Sequence, residues 1–372
     1  KIARRERQKR LKERSNAIKI LRGIAIRIPL MVYGAEINVD KEIGVDNFTD
    51  IVDDISWAEF MPKGITKDKF KEFSKYFDNE IFVEAGLKIR RQTKAADDLE
   101  PLERVQAIGN IFSTFKNPDR ETVLTPWKVV NMHMAETIGG ATFFNENYDS
   151  IIKIDENNSA RWVEISDYTR NIFNTNSNLL EINSKTGLYS LYAAIGIYQS
   201  VRNKGQLKNV DGLWDNIVNN NIYAVCRTKM AAAIVKRTLV GFRELSNENL
   251  NIMVIEDIFS QMRNQYEDEY QPLVNNILRL KYNKKDGDFM HFDAVIGNPP
   301  YQNNNEQIYA DFYLLSQKLG ETVSLIFPTG WQLPKKANNL SKLNRNEVKK
   351  DPQIVFIDNR QNVFPGISGV EW

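Results

Sequence analysis

A short apolar segment that ends in two consecutive prolines constrains the fold of this chain most strongly. Residues 292–297 have the composition of a buried β-strand, and Asn298, Pro299, Pro300 and Tyr301 follow at once. Because proline fixes φ and lacks a backbone N–H, the strand must end here, and nearby carbonyls stay free to accept hydrogen bonds from a ligand. The Asn298 side chain adds an acceptor and Tyr301 an aromatic face, so the stretch suits an amino group on a planar ring.

This tetrapeptide resembles the catalytic motif of S-adenosylmethionine-dependent amino-methyltransferases, most closely the adenine-specific DNA methyltransferases of restriction-modification systems. The resemblance implies that Asn298 and the Pro299 carbonyl hold the target amino group, with Pro300 completing the motif. It also implies that Tyr301 stacks on a base flipped out of the duplex. Protein-glutamine and some RNA-guanine methyltransferases share the motif. The alternative without a catalytic role is a turn that ends the strand.

A strand, a polar turn and a helix precede this motif at residues 179–195, an arrangement that places ligands at the strand end. The resemblance implies a cofactor loop in which Glu181 lies near the methionine amino group and Asn183 and Gly187 line the S-adenosylmethionine site. The loop departs from the family pattern, since it keeps one glycine and inserts Lys185. A generic connection between a strand and a helix is the alternative interpretation.

Thr125 and Pro126 precede a segment with helical character, so we expect Thr125 to cap a helix that begins at Pro126. In DNA adenine methyltransferases of the gamma motif order, a Thr-Pro pair stands before the first strand and contacts the methionine end of the cofactor. The resemblance therefore implies that Thr125 and Pro126 bind the cofactor. A plain helix cap is the alternative.

Two further strands are predicted at residues 221–227 and 251–259. The first ends in Cys226 and Arg227, where the family normally has an acid that binds the cofactor ribose, so no ribose residue is assigned. The second ends in acids, and the resemblance implies that Asp257 binds the cofactor adenine, with Glu256 as its rival. An acid pair at the start of the next helix is the alternative.

The later segments continue the rhythm of a parallel sheet, with a helix at 308–315 and strands at 322–328 and 352–358. The predicted fold class is α/β: a Rossmann-like methyltransferase sheet with helices on both faces, preceded by a mostly helical N-terminal region. The resemblance implies a second aromatic wall for the target base, for which Phe364 is the candidate. A structural anchor of the loop is the alternative role of Phe364.

Three regions are predicted. They are a basic helical arm at 1–25, a helical linker or coupler at 26–118, and a methyltransferase domain at 119–372 that lacks its C-terminal part and a target-recognition domain. Residues 261–288 form an insert with helical pattern. Because the chain starts at Lys1 and stops at Trp372 in a strand-like segment, we expect a piece of a longer protein. The order resembles large single-chain restriction-modification enzymes of type ISP or IIG, which implies helicase and nuclease domains on the same chain.

The arm holds eight Lys and Arg against two Glu in residues 1–14, which favours contact with double-stranded DNA over a merely solvated helix. The chain has one Cys, which excludes a disulfide framework, and only two His, which makes a dedicated zinc site an unfavoured interpretation. No apolar run reaches the roughly 20 residues of a membrane span, so we expect no membrane partner and a bacterial cytoplasmic location. A noncatalytic module that couples a motor to DNA is the rival from another class.

Overall fold

The computed structural model describes residues 2–116, 124–154, 160–205, 211–243, 250–263, 271–282, 291–303, 306–326, 328 and 364. Its N-terminal part is helical, as predicted. The helices of this part are α1 (Ile2–Ala25), α2 (Ile28–Gly34), α3 (Asp54–Phe60), α4 (Lys67–Phe73), α5 (Asn79–Ala96) and α6 (Pro101–Ser113), with 3₁₀ turns at Phe48–Ile51 and Ser74–Tyr76. We call α2 to α6 the N-terminal helical region.

Side-chain caps explain where several of these helices begin. Asp53, Thr66 and Asp78 precede α3, α4 and α5, and each accepts a hydrogen bond from a backbone N–H of the first turn. Such caps satisfy donors that have no partner inside the helix, and each contributes about 1 kcal/mol. The polar residues that precede these helices therefore determine where the helices begin.

A five-stranded parallel sheet forms the centre of the rest of the chain. Its strands are β3 (Leu179–Glu181), β4 (Ile222–Cys226), β5 (Asn251–Val254), β6 (Phe292–Gly297) and β9 (Gly320–Leu325). Their order across the sheet is β5-β4-β3-β6-β9. Two small antiparallel pairs lie outside it: β1 (Gly140–Thr142) with β2 (Arg161–Val163), and β7 (Gln302–Asn303) with β8 (Glu306–Gln307).

The order of the strands reverses beside β3. The chain proceeds from β3 to β4 and β5 on one side, and then returns to place β6 and β9 on the other side. In open α/β sheets, ligands bind outside the carboxyl ends of the strands at such a reversal. The fold therefore predicts a ligand site formed by the residues that follow β3 and β6.

Helices cover both faces of this sheet, which confirms the predicted fold class. They are α7 (Trp127–Thr137), α8 (Ser166–Ile172), α9 (Leu188–Asn203), α10 (Leu213–Asn220), α11 (Lys229–Val240), α12 (Ile258–Arg263), α13 (Gln271–Tyr282) and α14 (Tyr309–Leu319). Successive strand residues point to opposite faces. Leu179 packs in one apolar core with α9, α11 and the N-terminal helical region, and Leu180 packs in another with α13 and α14.

Several predicted boundaries differ from the observed ones. The strand predicted at 251–259 ends at Val254, because the chain turns at the acids 256–257 and enters α12 at Ile258. The strand predicted at 322–328 is β9, which starts and ends earlier, at Gly320 and Leu325. The strand predicted at 352–358 lies outside the described residues. Within the predicted insert 261–288, the described part forms the end of α12 and all of α13.

In the described part of the chain, no helix has the length and apolar character needed to cross a membrane.

Candidate active site

A cleft opens at the reversal point of the sheet, between the segments that follow β3 and β6. Its atom-free space is about 490 Å³, counted out to the open mouth. Seven of the predicted site residues line it: Thr125, Glu181, Asn183, Asn298, Pro299, Pro300 and Tyr301. The other lining residues are Leu124, Lys185, Thr186 and Tyr189. The fold thus brings together three segments that are far apart in the sequence.

Asn298 is held between two hydroxyl groups. Its amide nitrogen donates to the Thr125 Oγ1 at 2.8 Å, and its amide oxygen accepts from the Tyr301 hydroxyl at 2.5 Å. Gly297, with φ of 150°, joins β6 to this residue and lies close to the Ile182 carbonyl, where a Cβ would come within 3.0 Å. The side chain of Asn298 is therefore fixed with its carbonyl towards Tyr301.

Tyr301 lies partly buried beside Phe364. Phe364 is 1% exposed and packs on Val129 of α7, with Tyr301 and Ile326 against the same cluster. Burial raises the pKa of the Tyr301 hydroxyl well above its usual value, so the group stays protonated and can donate to Asn298. Phe364 does not line the cleft, although it supports the ring that does.

Glu181 stands at the end of β3 with its side chain buried. One carboxylate oxygen, Oε2, accepts from the backbone N–H of Ser190 at 2.8 Å and from its hydroxyl at 2.7 Å. Burial raises the pKa of Glu181, while hydrogen bonds from Ser190 and Ser184 oppose that rise. The first turns of α9 thus hold an acid at the floor of the cleft.

The loop between β3 and α9 is compact and partly left-handed. Asn183 has φ of 52° and Gly187 has φ of 70°. The Ser184 N–H donates to the Val225 carbonyl of β4 at 2.8 Å, which anchors the loop to the sheet. The Asn183 amide oxygen is buried and has no hydrogen-bond partner among the described residues. Gly187 forms the start of α9 behind the cleft and does not line it.

A partly buried chain of polar side chains lies behind the cleft and was not predicted from the sequence. The His133 Nδ1 lies 2.8 Å from the hydroxyl of Tyr189, a cleft residue, and its Nε2 lies 3.0 Å from Ser324 Oγ of β9. Burial lowers the pKa of His133 to about 4, so the imidazole is neutral at pH 7. A single histidine in a helix carries no sequence signal for this role, whereas Tyr189 was identifiable by its position just after Gly187.

Thr125 and Pro126 are placed differently from the prediction. Helix α7 begins at Trp127 with Pro126 as its cap residue, and no side chain caps it. The prediction that Thr125 caps this helix, with Pro126 as the first helical residue, is therefore wrong. The physical reason is that the Thr125 hydroxyl accepts a hydrogen bond from Asn298 instead.

The ends of β4 and β5 lie beside the cleft without lining it. At the end of β4, where the family pattern expects an acid, Cys226 is buried. An acid from the N-terminal helical region lies close by: Glu59 accepts from the Thr228 hydroxyl at 2.6 Å and lies 3.8 Å from Arg227 Nε. This proximity of a distant helix could not be read from the sequence.

Asp257 is exposed and serves the start of α12. Its side chain accepts from Gln261 Nε2 at 2.8 Å, and its backbone carbonyl accepts from Ser260 N and Gln261 N. This is the helix-start arrangement considered as the alternative. The assignment of Asp257 to the cofactor adenine stays a prediction.

The cleft combines acceptors with a cation. Glu181 and the unpaired oxygen of Asn183 suit a ligand ammonium group, and Lys185 suits a carboxylate. These are the two charged groups of an amino acid. Asn298 and the prolines, which have no backbone N–H, supply acceptors on the other side. The residues present therefore fit the methionine part of S-adenosylmethionine beside a target amino group.

Two comparisons found proteins similar to this chain, and the family match supports a methyltransferase. Residues 220–364 match the family described as Eco57I restriction-modification methylase. A solved structure described as a modification subunit of a type I restriction enzyme from Vibrio vulnificus YJ016 is 13% identical, with a TM-score of 0.35. The alignment covers 71% of this chain and 48% of that one, so the chain spans about half the length of that subunit. No curated protein matches the chain.

The family match includes β6 and the Asn-Pro-Pro-Tyr stretch, and it begins after β3, which ends in Glu181, and after the loop that follows β3. It supports the coarser part of the prediction, a DNA methyltransferase of a restriction-modification system. The similarity to the solved structure is too low to carry an argument of its own.

Proposed function

We propose that this chain transfers a methyl group from S-adenosylmethionine to the exocyclic amino group of an adenine in DNA, as part of a restriction-modification enzyme. One observation carries the proposal: a single cleft at the reversal point of the sheet collects Glu181, Asn183, Thr125 and the stretch from Asn298 to Tyr301. The first two belong to the cofactor loop of the resemblance, and the last to its catalytic motif.

The residues of the chain do the positioning. The cofactor supplies a methyl group on a positively charged sulfur. Asn298 and the Pro299 carbonyl would accept hydrogen bonds from both amino protons of the adenine, so that the nitrogen lone pair would point out of the ring plane towards the methyl donor. The N–C bond would form as the S–C bond breaks, which leaves a neutral thioether, and the cationic nitrogen would then lose one proton to solvent. To reach Asn298 Oδ1, the amino group must replace the Tyr301 hydroxyl that accompanies it in this structure. Tyr301 then provides the stacking face, and orientation supplies most of the acceleration.

The target base must leave the duplex, because its amino group is otherwise engaged in base pairing. Extrusion costs a few kcal/mol. The cleft lies at the carboxyl ends of β3 and β6 and includes Asn298 and Tyr301, the two side chains to which the flipped base would bind. Glu181, Asn183 and Lys185 hold the amino-acid end of the cofactor at the inner side.

Transfer of tritiated methyl from S-adenosylmethionine tests the proposal, with double-stranded DNA, RNA and protein offered separately. We expect label in DNA, recovered as N6-methyladenine, and none with Asn298→Ala. Label in RNA or in protein glutamine would assign the same cleft to one of the rival substrates. We also propose that helicase and nuclease domains of the same full-length protein act together with this chain.

Calorimetric titration with S-adenosylmethionine separates the enzyme from a noncatalytic coupling module. We expect micromolar binding that weakens at least about tenfold in Glu181→Gln, which keeps the shape but loses the charge. Asp257→Ala tests the predicted adenine contact in the same experiment. Absence of heat with the cofactor and with its demethylated product would contradict the proposal.

A further inference from the structure

Helix α1 stands apart from the rest of the molecule. Its residues 6–16 are exposed on every side, and the helix joins an apolar core only near its end, through Ile24 and the partly buried Ile20. At about 1.5 Å per residue, the exposed part is about 16 Å long. Helices that pack on nothing are marginal in water, so this segment has the character of one stabilised by a partner.

The charge of the chain is divided between this helix and the body. Residues 1–22 contain ten Lys and Arg against two Glu, a net charge of +8, whereas the whole chain has a net charge of +2. The remaining 350 residues therefore carry a net charge of −6. The net charge of the remainder disfavours a polyanion, whereas the charge of the helix attracts one.

One face of the helix alternates arginine with aliphatic residues. Arg7, Leu11, Arg14, Ile18 and Arg22 follow one another at intervals of three or four residues, so they share a face. Leu11 and Ile18 are 57% and 55% exposed. The three arginines extend over about 22 Å of helix.

Within the described part of the chain, the basic side chains of this face have no partner. Among the described residues, Arg7, Arg14 and Arg22 have no ion-pair or hydrogen-bond partner, although the body is acidic. A helix selected to pair with its own body would show such contacts. Arginines at this spacing instead suit a row of phosphates, and the aliphatic groups between them are too few for a protein interface core.

We propose that helix α1 binds the phosphate backbone of duplex DNA through Arg7, Arg14 and Arg22. It supplies sequence-independent affinity while the cleft does the chemistry. The choice of DNA rests on the proposed function, and the binding surface itself rests on the charge and exposure of the helix. Phosphate contacts position a protein on DNA without reading its sequence, and they make affinity depend steeply on salt.

Fluorescence anisotropy with a duplex of about 20 base pairs, from about 50 to 200 mM salt, tests this. In the whole chain, R7Q/R14Q/R22Q should weaken binding at least about tenfold at the lower salt. The slope of log K against log salt should fall by two to three, about 0.9 for each lost phosphate contact. R7K/R14K/R22K keeps the charges and should retain most of the slope. Glutamine favours helices nearly as well as arginine, and circular dichroism checks that the helix is kept.

A matched control removes three exposed cations in K71Q/K88Q/K116Q, two in the N-terminal helical region and one just after it. We expect it to bind DNA nearly as tightly as the unaltered chain. Equal losses in both triples would overturn the proposal, since they would reflect net charge alone. An unchanged salt slope in R7Q/R14Q/R22Q would overturn it as well.

Two further binding measurements identify the partner. A preference for duplex RNA over duplex DNA of the same length would overturn the choice of DNA. A loss in L11S/I18S as large as that in R7Q/R14Q/R22Q would overturn phosphate contact as the basis of binding. Titration with S-adenosylmethionine should give the same affinity in R7Q/R14Q/R22Q as in the unaltered chain. DNA binding that depends on helix α1, without methyl transfer, would support this inference while contradicting the proposed function.

Discussion

At the scale of single residues, Asn298 can present its carbonyl to a ligand only if its amide nitrogen has an acceptor elsewhere. The Thr125 hydroxyl is that acceptor, at 2.8 Å. The resemblance placed Asn298 and Thr125 in one site, but the hydrogen bond between them was not predictable, because 173 residues separate the two. The hydroxyl that looked like a helix cap in the sequence instead accepts a hydrogen bond from Asn298.

The first prediction concerns this hydroxyl. Thr125→Val keeps the shape and removes the acceptor, so the Asn298 amide loses its fixed orientation. We expect kcat for methyl transfer to fall by about 10- to 100-fold, since small misplacements at a reacting centre cost that much. The Kd for S-adenosylmethionine should change little.

Thr125→Ser keeps the hydroxyl and serves as the control, with kcat close to that of the unaltered chain. If Thr125 instead binds the methionine end of the cofactor, as the resemblance implied, Thr125→Val will raise the Kd for S-adenosylmethionine. Single-turnover kinetics together with calorimetry distinguish the two results.

The second prediction concerns His133, whose pKa burial lowers from 6.5 to about 4. Between those values the unfolded chain binds a proton that the folded chain excludes, so stability present above pH 6.5 is lost as pH falls. From pH 7 to pH 5 this group removes up to about 2 kcal/mol from the free energy of unfolding. Urea unfolding at both pH values measures the loss.

In His133→Gln, the loss between pH 7 and pH 5 should be smaller by up to that amount. A pH dependence in His133→Gln identical to that of the unaltered protein would contradict the lowered pKa of His133.

At the scale of elements, the strands and helices near the site were largely predictable from composition, and their ends were not. The apolar runs at β3, β4 and β6 are short and continuous, as buried parallel strands are. The strand at β5 was predicted too long, because the sequence does not separate the last strand residue from the acids of the following turn. Glu59 was missed since only the packed fold brings α3 to the end of β4.

The third prediction concerns the loop between β3 and α9. Gly187 has φ of 70°, and a Cβ there would meet the Val235 Cα at 3.0 Å, an atom of the backbone of α11. Gly187→Ala therefore adds a clash to the strain of the left-handed conformation. We expect a loss of about 2 to 3 kcal/mol in the free energy of unfolding, and weaker binding of S-adenosylmethionine.

Gly212 offers a matched control, because its φ is 71° and nothing lies within 4 Å of an added Cβ. Gly212→Ala should lose only about 1 kcal/mol, the cost of the backbone strain, with unchanged cofactor affinity. Equal destabilisation in the two variants would show that contact with Val235 does not constrain the loop.

At the scale of the whole molecule, the N-terminal helical region and the sheet share one apolar core. Buried residues from Ile24 to Ile296 belong to a single cluster, which includes helices α2, α6, α9 and α11. Polar contacts reinforce this union. Tyr33 of α2 lies 3.2 Å from the Thr238 hydroxyl, which in turn donates to the Thr186 carbonyl of the cleft loop at 2.7 Å. The sequence indicated helices here without indicating this shared core.

The last prediction follows from that continuity. Chains of this length commonly unfold in steps, yet here the helical region and the sheet should unfold together. Phe48 is fully buried against Trp57, Phe70 and Phe82. Phe48→Ala should cost about 3 to 5 kcal/mol and lower the midpoint of one common transition in scanning calorimetry.

Phe312→Ala is the matched variant on the far face of the sheet, where Phe312 is also fully buried. It should lower the same transition, because the two cores meet along the strands, whose successive residues belong to opposite faces. Two resolved transitions, with each variant shifting only its own, would show instead that the helical region folds as a separate domain. A single shifted transition would mean that a substitution that destabilises the N-terminal helical region also lowers the free energy of unfolding of the cleft.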